Sequence, residues 1–311
     1  MKVTLIHNPD AGNEEQPSAQ EILDLIREAG HAAVYQSAKD ENWHSALENP
    51  GDIVTVAGGD GMVGKVAKRL IGRNIPIAVL PLGTANNIAN TLGLVDKPLD
   101  QLIAGWTAAR RLDFDVGIAN APWGSSYFIE AVGVGLFADT MSRLNARSNI
   151  DLAHANDADE KISSVLEMLN ERLHRCRAME LKAALDGQDL SGEYILVEAM
   201  NIRTVGPNLY LSPEADPGDG LLDIICVSTD EQDKLSRYFA ACLEGKSCSL
   251  GLTARRGTQL QIEWQGFRVH IDDEAWPSAG PILPTSAALI DVTLNSASVK
   301  FLIPAELSRR A

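Results

Sequence analysis

"VAGGDGMVGKVAKRL", residues 56–70, decides how the chain is read. From Gly59 to Gly64 it matches G-x-G-x-x-G, the turn that opens dinucleotide-binding units, and it sits between an apolar run and an amphipathic stretch. Two features argue against a dinucleotide. The motif follows the third strand-like run rather than the first, and no Asp or Glu occurs between Gly61 and Asp96, where a ribose-binding acid belongs. What remains is phosphate geometry. Gly58, Gly59 and Gly61 let backbone N–H groups converge, unobstructed by Cβ atoms, at the start of a helix expected from Met62. Residues 62–95 carry Lys65, Lys68, Arg69 and Arg73 and no acid, inside a chain of net charge −15. Asp60, alone among these glycines, suits a Mg²⁺ ion, or its water, on a triphosphate. The bland alternative is a Gly-rich turn with a capping Asp.

The surrounding residues place this loop in an alternating pattern. "VTLI" (3–6), "AAVY" (32–35), "DIVTVA" (52–57) and "PIAVLP" (76–81) read as buried strands. Helices are expected at 17–30, 43–48, 62–72 and 85–92, and strand–helix alternation over 1–120 implies an α/β domain with a mainly parallel sheet. Two further strand ends carry polar, glycine-bearing loops: "HNPDAGN" (7–13) and "PLGTANNIANTLGL" (81–94), where Thr84 can cap the helix or bond a phosphate. All three loops fall at the carboxyl edge of one sheet, where open α/β sheets bind ligands.

Beyond about Trp123 the pattern becomes that of a mostly antiparallel β domain over 121–295, a β-sandwich. "SYFIEAVGVGLF" reads as one strand, and Asp186-Gly187 and Gln265-Gly266 read as two-residue hairpin turns. A helical insert is expected near 139–175, with Ile162, Val165, Leu166, Leu169 and Leu173 forming a core stripe rather than a lipid contact. The segment 296–311 is expected to return to the first domain.

Composition excludes several classes. A net charge of −15 argues against a nucleic-acid partner and against strong attraction to anionic lipid. No apolar run approaches the roughly eighteen residues of a membrane span, and "MKVTLIHNPD" is too short for a signal peptide. Cys176, Cys226, Cys242 and Cys248 show no C-x-x-C spacing and are expected to be reduced. The expectation is a cytosolic protein, peripheral at a membrane where it meets one.

At "NPDAG" (8–12), "GGDG" (58–61), "PLGTANNIA" (81–89), "SPEADPGDGLLDI" (212–224) and "IDDE" (271–274) the sequence resembles the diacylglycerol kinase catalytic family, in order and spacing over nearly the whole chain. The resemblance implies a nucleotide-binding α/β domain (fold of the NAD kinase/diacylglycerol kinase type), a C-terminal β-sandwich, ATP and Mg²⁺ as cofactors, and a lipid hydroxyl as acceptor. It implies that ATP is held by Gly58, Gly59, Asp60, Gly61, Met62, Gly64 and Lys65, with Thr84 and the Asn8, Pro9 and Gly12 loop nearby and Ser37 near the nucleotide. It implies a Mg²⁺ loop in which Asp216 and Asp219 give carboxylates and Leu221 a carbonyl. It implies that Asp272 or Glu274 takes the proton of the acceptor hydroxyl, the two being read as alternate positions on one strand end. This chain departs from the family pattern at Met62, Lys65 and Asp273. The reading is therefore an ATP- and Mg²⁺-dependent lipid kinase with a diacylglycerol-like acceptor. An NAD kinase-like small-molecule kinase and a nucleotide-binding regulatory protein without turnover are the alternatives.

Overall fold

The structure is a computed structural model that describes residues 1–13, 16–147, 158–246, 248–277 and 288–305. The chain divides into two units, Met1–Asp115 with Ala297–Ala311, and Val116–Ser296.

The first unit is built on β1 (Lys2–His7), β2 (Ala32–Ser37), β3 (Ile53–Gly58), β4 (Pro76–Pro81), β5 (Arg110–Phe114) and the last strand, β21 (Val299–Ile303), in the order β2-β1-β3-β4-β21-β5. Pairing is parallel from β2 through β21, and only β5 runs antiparallel. β3 is buried at every position, as a strand covered on both faces must be. α1 (Ala19–Glu28) starts at a Ser18–Glu21 capping box and buries Ile22, Leu23 and Ile26. α2 (Asp60–Arg69) follows β3, α3 (Asn87–Thr91) follows β4, and α4 (Leu99–Ala104) precedes β5; 43–47 is a single 3₁₀ turn. From β1 the chain moves to β2 on one side and returns to β3 on the other. The loops after β1 and β3 therefore flank the point where strand order reverses, the usual ligand crevice of an open parallel sheet.

The second unit is an antiparallel β-sandwich with helices on one outer face. One sheet contains β6 (Gly117–Ala121), β7 (Gly124–Phe128), β10 (Ala183–Leu185), β11 (Gln188–Asp189), β17 (Gln259–Trp264) and β20 (Ala288–Leu294). The other contains β8 (Ala131–Gly135), β9 (Met179–Leu181), β12 (Gly192–Met200), β15 (Leu222–Ser228), β16 (Arg255–Gly257), β18 (Val269–Ile271) and β19 (Glu274–Trp276), while β13 (Thr204–Val205) and β14 (Leu209–Tyr210) form a small ribbon. Phe128, Leu260, Ile262 and Val292 from one sheet pack on Val132, Val197, Ile224 and Ile271 from the other. On the far face of the second sheet lie α5 (Leu136–Arg147), α6 (Ala158–Leu173) and α7 (Gln232–Leu243). Leu166, Leu169 and Leu173 are buried there, with Ile162 and Val165 against them, so the stripe of α6 is core.

Two sequence expectations need correction. "SYFIEAVGVGLF" is not one strand: it breaks at Ile129–Glu130 into β7 and β8, then enters α5 at Leu136. Gln265-Gly266 is not a hairpin turn, because β17 pairs with β10 and β20 while β18 pairs with β8 and β19; the chain changes sheet there. Asp186-Gly187 does join a hairpin, with both residues at positive φ. Among the described residues no helix is long and apolar enough to cross a membrane, and all four cysteines are free thiols.

Candidate active site

Three loops at the carboxyl ends of β1, β3 and β4 meet backbone to backbone. Asn8 N–H donates to Ala57 O at 2.9 Å and Leu82 N–H to Gly58 O at 3.2 Å, extending the strand pairing into the loops. A Cβ on Gly12, which has φ +75°, would lie 2.5 Å from Leu82 O, and one on Gly58 would touch Asn8 and Met62. A Cβ on Gly59 would stand 3.0 Å from Gly83 Cα. At Gly12 and Gly59 neighbouring main chain occupies the space of a side chain, whereas at Gly58 the neighbours are side chains at ordinary contact distance.

Asp60 fastens the second loop to the third. Its Oδ2 accepts the Asn87 N–H at 2.8 Å and its Oδ1 the Ile88 N–H at 2.9 Å, so it caps α3 from another segment. The sequence suggested Thr84 as that cap; Thr84 instead lies in the half-buried turn before the helix. Asn86, in the left-handed region at φ 55°, grips the Gly83 peptide from both sides: its Oδ1 accepts Gly83 N–H and its Nδ2 donates to Gly83 O.

Other expected nucleotide residues are distributed as follows. Pro9 is exposed and follows Asn8, whose Oδ1 accepts Asp10 N–H. Gly61 is half-buried in the first turn of α2; Met62 and Gly64 are buried, and Lys65 is exposed. Ser37 ends β2 opposite His7, its Oγ accepting Lys39 N–H. The run of four cations does not gather at the glycine loop. Arg69 lies over the Trp43 ring and Arg73 donates to the carbonyls of Leu47 and Glu48. α2 is ten residues long, so its last turn is more than about 10 Å from its start. Only Lys65 belongs near the N-terminal turns.

In the second unit, Asp272 and Asp273 form the turn between β18 and β19, and Glu274 opens β19 opposite Ile271. The two candidate carboxylates are therefore not alternate residues of one strand. Asp272 is buried and has φ 50°, in the left-handed region. Its Oδ1 accepts the N–H groups of Ile129, Glu130 and Ala131, and its own N–H donates to Ala131 O. Asn201 holds the carbonyl side of the same bend, its Nδ2 donating to Ile129 O and its N–H to Glu130 O. Glu274 is exposed.

The Asp216–Leu221 loop is a pair of Asx turns. Asp216 Oδ1 accepts Gly218 N–H and Asp219 Oδ1 accepts Leu221 N–H. Arg256 of β16 donates to Asp219 Oδ2, and its Nε lies 3.6 Å from Asp223 Oδ2. Burial pushes the Asp223 carboxyl above its ordinary range, with Ser212 and Arg256 pulling the other way. Among the described residues no group of three or more His, Cys, Asp or Glu converges as a metal site. As folded, Asp216 Oδ1 and Asp219 Oδ1 are each turned onto a main-chain amide, and a guanidinium neutralises the other oxygen of Asp219.

Residues 2–117 match the model of the diacylglycerol kinase catalytic domain, and residues 143–292 that of the YegS C-terminal NAD kinase beta sandwich-like domain. The chain belongs to the diacylglycerol kinase catalytic family. A diacylglycerol kinase of Mycobacterium tuberculosis (strain ATCC 25618 / H37Rv) is 28% identical over 308 residues, 93% of this chain and 94% of that protein. The "Probable lipid kinase YegS-like" protein of Pseudomonas aeruginosa (strain UCBPP-PA14) is 29% identical over 282 residues, 88% of this chain and 87% of that protein. The fold is shared with a crystal structure of a diacylglycerol kinase from Bacillus anthracis (TM-score 0.68, 20% identity, 98% of both chains). It is shared more distantly with an NAD kinase from Archaeoglobus fulgidus in complex with ATP (TM-score 0.55, 10% identity, 99% of this chain and 96% of that one).

Within this family member, Asn86, Asn201, Glu198, His270 and Arg256 escaped the sequence reading. Asn86 carried a usable signal, since an Asn before a helix is one of the few side chains that tolerates the left-handed region. Glu198 and His270 each interrupt an apolar strand, "YILVEAM" and "RVHI", and a charge in such a run asks for a buried partner. Arg256 had no signal, because its pairing with Asp219 depends on the β15–β16 register.

Proposed function

We propose that this chain is a lipid kinase that transfers the γ-phosphoryl group of MgATP to the hydroxyl of a diacylglycerol-like lipid. The observation that carries the reading is the fusion of three loops at the β1/β3 reversal point. Main-chain amides of Gly58–Gly61 open α2 there, so the helix's positive end and converging donors favour a polyphosphate. Asp60 holds the loops in register through α3 rather than serving first as a metal ligand. Lys65, exposed on the second turn, supplies a charge for the phosphates; Asn8, Pro9, Gly12, Ser37, Met62, Gly64 and Thr84 complete the nucleotide-binding set. Mg²⁺ enters as part of the nucleotide substrate, where it offsets phosphate charge.

Of the two acids, Glu274 is the proton acceptor for the lipid hydroxyl, because Asp272 already spends Oδ1 on three amides. A loose phosphoryl-transfer transition state asks the base mainly for position. The test is labelled ATP with a total lipid extract, dioleoylglycerol vesicles and NAD in parallel. Labelled phosphatidic acid from the vesicles supports the proposal. Label on NAD instead, or on no acceptor, refutes it.

A further inference from the structure

Glu198 on β12 and His270 on β18 are fully buried and belong to strands that do not touch, since β8 runs between them. Both are in register with Gly133 of β8. Their side chains meet across that glycine: His270 Nε2 lies 2.9 Å from Glu198 Oε2 and 3.0 Å from Oε1. A Cβ at position 133 would lie 2.1 Å from Glu198 Oε1, so Gly133 is the gap the pair needs. The other ring nitrogen, Nδ1, is 3.0 Å from Asp272 O. The imidazole thus faces two acceptors, and both contacts are satisfied only if each ring nitrogen has a donor. That requires one proton more than a neutral His beside an ionised Glu: an imidazolium with a carboxylate, or a neutral ring with a protonated Glu.

Apolar residues of similar volume commonly match or exceed the stability a buried pair supplies. The contact with the Asp272 carbonyl gives this pair another task. We infer that Glu198 and His270 are positioning residues for the Asp272–Asp273 turn, fixing the direction in which Glu274 is presented. The inference deepens the proposed function and rests on Glu274 as proton acceptor. His270 Nδ1 holds the carbonyl of Asp272 while the bend amides hold its carboxylate, so this left-handed residue is clamped on both sides. Charged or titratable groups around the ring are few. Glu198 faces it from β12 and Asp272 from its own turn; β8 gives Gly133 and β19 Ala275. α5 packs on β18 and contributes Asp139, paired with Arg268 at 3.6 Å.

The test compares His270→Ala, Glu198→Ala and Glu198→Gln in the full chain, with MgATP and dioleoylglycerol in phosphatidylcholine vesicles. His270→Ala and Glu198→Ala lose kcat by about 100-fold while KM for ATP stays within about 2-fold, the pattern of a misplaced reacting group. The unmodified chain loses kcat on the alkaline side as the pair gives up its shared proton. Glu198→Gln can donate to a neutral His270, whose Nδ1–H still reaches Asp272 O, so kcat recovers to within about 10-fold and the alkaline limb disappears. A Glu198→Gln enzyme that keeps the alkaline limb, or alanine variants that lose only stability or ATP affinity, overturns the inference. Should no lipid be phosphorylated by the unmodified chain, the function falls but not this arrangement, which ¹⁵N NMR still reads. A proton on His270 Nδ1, together with displaced Asp273 and Glu274 amide signals in the variants, sustains it; a bare Nδ1 or unchanged amide signals reject it.

Discussion

Gly59 and Gly83 approach so closely that a Cβ on Gly83 would stand 2.3 Å from Gly59 Cα and 2.9 Å from Asn86 Oδ1. The nearer obstacle is main chain, so the loops must part to admit a methyl group. Gly83→Ala is expected to cost about 1–3 kcal/mol of stability and to weaken ATP binding by at least about 10-fold. Thermal melting and calorimetry with MgATP measure the two effects. Unaltered ATP affinity would separate the Gly59–Gly83 contact from nucleotide binding.

Asp60→Ala removes an acceptor from two α3 amides. A lost cap costs about 1 kcal/mol, and hydrogen exchange at Asn87 and Ile88 should accelerate more than exchange within β3. ATP affinity should fall with it, because the third loop loses its tie to the second.

The acids on either side of the β18–β19 turn should separate by experiment. Asp272→Ala leaves three bend amides without their acceptor and should destabilise the chain by about 2–4 kcal/mol. Glu274→Gln, at an exposed position, should leave the melting temperature nearly unchanged yet abolish phosphoryl transfer with ATP binding retained. Full activity in Glu274→Gln would assign proton acceptance elsewhere.

Arg256 stands where a cation is expected to neutralise the Asp216–Leu221 loop. Millimolar Mg²⁺ should therefore not shift the melting temperature of the unmodified chain without nucleotide. In Arg256→Ala, with Asp219 and Asp223 no longer compensated, Mg²⁺ should raise it. A Mg²⁺-dependent shift in the unmodified chain would show that the loop takes the ion despite the guanidinium.

Stability should also depend on pH through His270. Burial lowers the imidazole's proton affinity, but the charge and hydrogen bond of Glu198 together with the carbonyl and charge of Asp272 outweigh it, and the folded-state pKa lies above the ordinary 6.5. A raised folded pKa means a contribution fully present below the unfolded value and lost as pH rises through the folded one. Melting temperature should decline as pH rises from the ordinary imidazole range through the raised folded-state value, and Glu198→Gln should flatten that decline. An identical decline in both proteins would exclude the pair as its source.

β1, β3 and β4 were legible because each is a short apolar run closed by Gly, Pro or Asn, and their order placed three loops on one edge. The bend at 129–130 was not, because in "SYFIEAVGVGLF" strand-like apolar residues run on both sides of Glu130. The residues that hold it, Asn201 and Asp272, are 72 and 143 positions away from Ile129. Charge counting along the chain misplaced Arg69 and Arg73, since a helix carries successive residues away from its own N-terminus. The carboxylates of "IDDE" were visible, but not their division of labour, which follows from a two-residue turn burying one and exposing the other. Glu198 and His270 showed as isolated polar residues in apolar runs, and only the register through Gly133 pairs them.

β21 occupies the slot between β4 and β5, although β4 ends at Pro81 and β5 at Phe114 while β21 begins only at Val299. The first unit emerges from the ribosome with an internal vacancy in its sheet and two unpaired strand edges. Those edges cannot close until the whole second unit has been synthesised, a long-range closure that slows assembly. The nucleotide loops are thus encoded early but braced late, which makes synthesis through β21 a prerequisite for a competent first unit.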